Sequence, residues 1–206
     1  VYTREEIEEI VSIAIEHDLW IISDEIYSRL IWNGGEHVSP ATIEGGKERT
    51  IVISGWSKTW AMTGMRVGFL AGPEQAVRAA VKCQANSASH IPTFMMEAAR
   101  VALDCDDHVE RFSDAYRQRR KLMVQGLEDI PGLRIVNPEG AFYLFIDVSG
   151  TGMSDVEFAD GALEAGVQLI PASLITGGEG FIRVSYAASE EDIKEGISRL
   201  RSWLLQ

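Results

Sequence analysis

Three short apolar runs, each closing on small or polar residues, constrain this chain more than any other feature. Trp20-Ile21-Ile22 ends at Ser23-Asp24, Thr50 to Ile53 ends at Ser54-Gly55, and Val67 to Ala71 ends at Gly72-Pro73. Continuous apolar runs of this length read as strands buried on both faces, and alternation with helices points to a mostly parallel sheet carrying helices on both sides. A helix precedes the first run. Thr3 and Glu6 have capping-box spacing, and Ile7, Ile10, Val11, Ala14 and Ile15 recur at helical intervals, which predicts a helix over residues 4–17. In open α/β sheets ligands gather at the carboxyl ends of the strands. Asp24 and Lys58 fall at or just after those ends.

After about residue 104 the pattern changes. A long charged helix is predicted from Asp107 to Leu127, and Pro131-Gly132 stops the chain behind it. Strands are predicted at Leu133–Val136, Ala141–Val148, Val167–Ile170 and Phe181–Ser185. Ser154 with Glu157 opens a helix to Ala165, and Ser189 with Asp192 opens a terminal helix to Leu205. Residues 1–104 therefore read as an α/β portion built on the sheet, and residues 105–206 as a smaller α+β domain.

Composition excludes several classes of function. The 31 acidic against 19 basic residues give a net charge of −12, which disfavours contact with a phosphate backbone and argues against a nucleic-acid partner. Arg117, Arg119, Arg120 and Lys121 form the only basic run, and they read as a solvated helix face. Cys83 and Cys105 have no short spacing to another cysteine or histidine, so neither a zinc site nor a disulfide framework is expected, and a reducing, cytoplasmic setting fits. No apolar run approaches the ~20 residues that span a bilayer, so no membrane partner is expected. Gly45-Gly46-Lys47 lacks the other residues of a phosphate loop, and Gly177, Gly178 and Gly180 precede a strand where a dinucleotide fingerprint would follow one. The chain opens on Val-Tyr-Thr and enters a helix at once, so it reads as part of a longer polypeptide.

The chemistry concentrates in residues 54–68, SGWSKTWAMTGMRVG. A lysine that attacks a carbonyl carbon must do so unprotonated, which burial or a neighbouring positive charge favours. A permissive turn at a strand end can aim it inward. Arg66 lies close enough in sequence to share that site, and a guanidinium suits bidentate recognition of a phosphate. By itself Lys58 reads more readily as a solvated loop lysine, and Arg66 as the partner of a surface carboxylate.

The whole string is more specific than its parts. Gly55-Trp56-Ser57-Lys58, continued by Ala61-Met62-Thr63-Gly64-Met65-Arg66-Val67-Gly68, resembles the cofactor-attachment signature of the class I and II pyridoxal-phosphate aminotransferases of the aspartate/aromatic type, with fold type I. Ser23-Asp24-Glu25-Ile26-Tyr27 resembles a second element of that family, and Phe181-Ile182-Arg183-Val184-Ser185-Tyr186 a third. The resemblance implies that Lys58 carries pyridoxal 5′-phosphate as a Schiff base and that Arg66 holds its phosphate. It implies that Asp24 pairs with the pyridine nitrogen, that Tyr27 contacts the ring oxygen, and that Arg183 binds the substrate's α-carboxylate. An arginine on an apolar strand is costly unless an anion pairs with it, which agrees with that last role. The implied fold is the C-terminal part of the large domain followed by the small domain. The implied activity is transfer of an amino group between an amino acid and a 2-oxo acid by a homodimer.

Two departures follow from the same resemblance. Many members have a serine three residues before the lysine, where this chain has Gly55. The family's chain also extends well upstream of Val1, so strand edges and apolar faces of the sheet are expected to lack their usual cover. Two other functions stay open on the sequence: a cofactor-dependent C–S β-lyase of the same fold, and a non-catalytic, aminotransferase-like sensor domain of a regulator.

Overall fold

A computed structural model of the chain describes residues 1–32 and 34–205. The chain divides into two compact units, Val1–Glu110 and Arg111–Gln206.

The first unit opens with α1 (Arg4–Glu16), whose capping box is complete: the Thr3 side chain accepts from the Glu6 amide and the Glu6 carboxylate accepts from the Thr3 amide. Its Ile7, Val11 and Ala14 are buried. β1 (Ile21–Asp24) runs parallel to β2 (Thr50–Gly55), with Ile21 opposite Thr50 and Asp24 opposite Ile53. The third apolar run departs from the parallel pattern. β3 (Gly68–Ala71) pairs antiparallel with β2, setting Gly55 opposite Gly68, so the sheet is mixed in the order β1-β2-β3. Residues 56–67 hold no crossover helix of the length a parallel return needs, so the chain doubles back. Two helices that the apolar pattern leaves unassigned follow, α2 (Glu74–Ser87) and α3 (Thr93–Ala102). Part of the sheet lies open: Ile22 and Ile53, on one face, are 69% and 40% exposed, and Phe69, on the other, is 47% exposed.

α4 (Asp106–Leu127) leads into the second unit. That unit holds β4 (Arg134–Val136), β5 (Tyr143–Asp147), α5 (Asp155–Glu164), β6 (Ile170–Pro171), β7 (Phe181–Ser185) and α6 (Glu190–Leu204). Its four strands form an antiparallel sheet ordered β4-β5-β7-β6. Alternation buries Leu144 and Ile146 of β5 opposite Val184 and Ile182 of β7. Phe158 and Ala162 of α5 and Ile193 and Leu200 of α6 are also buried. Each of the Leu, Ile, Val and Phe side chains among them contributes roughly 1.5–3 kcal/mol on leaving water. No helix among the described residues is long and apolar enough to cross a membrane. The basic run on α4 is held locally. Arg117 pairs with Asp114, and Arg120 donates to the Pro138 carbonyl and the Asn137 side chain.

Candidate active site

Four of the five residues singled out by the sequence line one cleft of the first unit. Asp24, Tyr27, Lys58 and Arg66 surround a space of about 490 Å³, joined by Ile26, Ile53, Ser54, Ser57 and Thr63. The cleft lies at the carboxyl ends of β1 and β2, where parallel strands leave backbone groups free to face a ligand. Arg183 belongs to the second unit.

Each side chain of the cleft is placed by local geometry. Asp24 is the last residue of β1, and its Oδ1 accepts the Ile26 amide at 3.1 Å, a turn closed by the carboxylate itself. That turn carries Tyr27 to the rim. Glu25 anchors it further, donating its amide to the Ile53 carbonyl at 2.8 Å and accepting the Ser54 hydroxyl on its own carbonyl. The Glu25 carboxylate gathers the Ser23 and Ser39 hydroxyls, and His37 Nε2 lies 3.0 Å from its Oε2. Sequence reasoning passed over Glu25, Ser39 and the specific place of His37. Only the fold brings residues 37–39 back to the strand end, so spacing gives no signal for them.

Lys58 sits in the turn that follows β2. The turn is pinned at both ends: Trp56 donates its amide to the Val67 carbonyl at 3.2 Å and its indole N–H to the Ala99 carbonyl of α3 at 2.9 Å. Inside it, Trp60 and Met62 donate to the Trp56 carbonyl and Ala61 donates to the Lys58 carbonyl. The Lys58 Nζ stands 6.0 Å from the centre of the Tyr27 ring, within reach of its π face. Ala61 and Arg66 hold left-handed backbone, φ 52° and 53°, which costs a residue bearing a Cβ roughly 1–2 kcal/mol. At Arg66 that backbone ends the turn just before β3, and the side chain folds back so that Nη1 donates to the Thr63 carbonyl at 2.9 Å.

Gly55 explains one departure from the family pattern. A Cβ here would lie 2.7 Å from the Val67 carbonyl oxygen and 2.9 Å from Gly68 Cα, so the position admits no serine while β2 and β3 stay this close. Hydroxyls reach the cleft from Ser54, Ser57 and Thr63 instead.

Arg183 lies on β7 opposite Phe145 of β5 and Ile170 of β6. Alternation buries its neighbours Ile182 and Val184 and puts Arg183 on the half-buried face of the small sheet. There Phe145 and Phe181 stack at 5.7 Å, and the Arg183 guanidinium carbon lies 4.7 Å from the centre of the Tyr143 ring. Upstream of Tyr143, Ala141 takes left-handed backbone and its carbonyl accepts the hydroxyl of the fully buried Tyr186 at 2.9 Å.

The donor set of the cleft suits an anionic, aromatic cofactor bearing a carbonyl: an amine, a guanidinium, several hydroxyls, a carboxylate and a phenol. A family model for aminotransferase class I and II matches residues 1–200. An aromatic-amino-acid aminotransferase of Thermococcus litoralis is 41% identical over 99% of this chain and 54% of its own length. An aspartate aminotransferase of Pyrococcus abyssi is 40% identical over 99% of this chain and 54% of its own. The solved aromatic aminotransferase from Pyrococcus horikoshii superposes with a TM-score of 0.93 at 39% identity, covering 98% of this chain and 55% of that one. The chain thus spans about half the length of the curated relatives it matches.

Proposed function

Because this chain belongs to the class I and II aminotransferases, we propose that it supplies the lysine-bearing part of an enzyme that moves an amino group between an amino acid and a 2-oxo acid. The observation that carries this reading is the convergence of Lys58, Arg66, Asp24 and Tyr27 on one cleft at the strand ends.

Pyridoxal 5′-phosphate is the cofactor this set fits, and when bound it supplies an electron sink for negative charge developing on the substrate's α-carbon. Arg66, with the hydroxyls of Ser57 and Thr63 beside it, would hold the phosphate, since a guanidinium and hydroxyl donors match its oxygens. Asp24 would face the pyridine nitrogen, where a carboxylate keeps a proton in place. Tyr27 would donate to the ring oxygen. Lys58 would hold the cofactor through Nζ between turnovers. Once freed by the substrate's amine, that nitrogen would serve as base and then acid, taking up the proton of the substrate's α-carbon and giving it back during the transfer. Arg183 would clamp the α-carboxylate. The working form would be a homodimer of the complete polypeptide.

The test is Lys58→Ala in the protein that carries this chain at its natural length. Borohydride reduction of the wild type with pyridoxal phosphate should fix the cofactor mass on the peptide containing Lys58. The variant should lose that label, and amino transfer to a 2-oxo acid acceptor should fall by roughly 10²–10⁴-fold. Unchanged transfer by the variant would sink the assignment. Release of pyruvate and ammonia from a cysteine-like substrate without any acceptor would replace it with the lyase reading.

A further inference from the structure

We infer that Tyr143 is the positioning residue for Arg183: its ring draws in the guanidinium without supplying a carboxylate partner, so that the N–H fork is kept for the carboxylate of a ligand. The inference rests on the proposed role of Arg183 and adds a residue that no sequence motif assigned.

The geometry follows from register. Tyr143 is directly opposite Ser185, and Arg183 lies two residues along β7, so the two side chains are diagonal neighbours on the same face of the sheet. The guanidinium carbon is 4.7 Å from the ring centre, within the range where a cation is drawn to an aromatic face. Arg183's direct cross-strand neighbours, Phe145 and Ile170, offer no acceptor from their side chains. Among the described residues of the second unit no carboxylate forms an ion pair with it. This matters because a carboxylate partner would occupy the planar fork of N–H donors, whereas an aromatic ring attracts the cation through its quadrupole and brings no carboxylate to that fork. The ring therefore fixes the side chain and leaves its recognition edge available. Tyr143 is itself held: its ring lies 4.7 Å from Phe142, and Phe142 stacks on Tyr116 of α4 at 5.2 Å. Ordering the arginine before the ligand arrives removes part of the entropy cost of binding.

The experiment compares Tyr143→Leu, Tyr143→Met, Tyr143→Phe and Arg183→Lys with wild type, in the natural-length protein loaded with cofactor. Maleate, a carboxylate that cannot react, is titrated calorimetrically, and KM and kcat are measured for an amino-acid donor. Arg183→Lys should weaken maleate by roughly tenfold or more. Tyr143→Leu and Tyr143→Met should each weaken maleate and raise KM by roughly five- to thirtyfold with kcat within about twofold of wild type. Tyr143→Phe keeps the ring and should stay within about twofold on every reading. The two ring-less variants guard against a misfolded one, and calorimetric unfolding identifies it. If Arg183→Lys weakens maleate while the folded ring-less variants do not, the positioning role fails alone. It fails equally if Tyr143→Phe is as impaired as Tyr143→Leu, since the hydroxyl would then be the active part. If Arg183→Lys binds maleate like wild type, the carboxylate-clamp reading fails, and the positioning role with it.

Discussion

At the end of β5, Asp147 shows how a single residue ties stability to pH. Its Oδ1 accepts the Ser149 hydroxyl at 2.6 Å and the Ser149 amide at 3.0 Å, and its Oδ2 accepts two N–H groups of Arg134. Those bonds, the Ser149 pair first, hold its carboxyl from the ordinary 3.8 down to about 2. A depressed pKa means the unfolded chain takes up the proton first. The stabilisation is therefore full above about pH 4 and is lost as pH falls toward 2. Urea unfolding of wild type should show a midpoint that drops across that window, while Asp147→Asn should start lower at neutral pH and change less; equal slopes for the two proteins would refute the assignment. The residues of the cleft were largely legible beforehand, because Asp24, Tyr27, Lys58 and Arg66 sit within two short strings. Tyr143 was not legible as a partner of Arg183, because that contact depends on the register of β5 against β7, which no local spacing encodes.

The elements divide in the same way. α1, α5 and α6 announce themselves, since Thr3, Ser154 and Ser189 each cap the first turn through the side chain and acidic residues follow within it. By contrast, α2 and α3 begin behind Pro73 and Pro92 with no side-chain cap, and α2 buries none of its residues. No side-chain cap marks either of them, so they lack the start signal that the other three helices carry. The antiparallel course of β3 escaped for another reason: an apolar run shows that a strand exists, and only its connection decides its direction. The caps also give a measurable quantity. Ser154 Oγ accepts the Glu157 amide at 3.2 Å, while Glu157 Oε2 accepts the Ser154 amide at 2.9 Å. At the next position the buried carboxyl of Asp155 is held below the usual range, first by the Ser173 amide, which tethers α5 to the segment after β6. Ser154→Ala should cost about 1 kcal/mol in chemical unfolding, and Ser154→Asp, which restores an acceptor, should recover most of it. No loss in the alanine variant would show that the cap is idle.

For the molecule as a whole, the open faces of the first unit matter most. Ile22, Ile53 and Phe69 are joined by the exposed Val81 of α2 and by Phe94 and Met96 of α3, and β1 and β3 are the edges of a sheet with β2 between them. Uncovered apolar surface next to open edges favours association, and a net charge of −12 opposes it only over the short range that salt permits. The 206-residue chain by itself should therefore bind a hydrophobic dye, and its mass by light scattering should rise with concentration. Ile22→Lys with Val81→Lys should reduce both signals; a strictly monomeric, dye-silent wild-type chain would contradict this. The same surface also bears on the chain's fate in a cell. Chaperones and proteases act on exposed apolar side chains and unpaired strands. The steady abundance of such a chain is then a contest of rates, between the covering of Ile22, Ile53 and the two strand edges and their capture by quality control. A variant that leaves the lysine cleft untouched but slows that covering would lower the number of molecules in the cell.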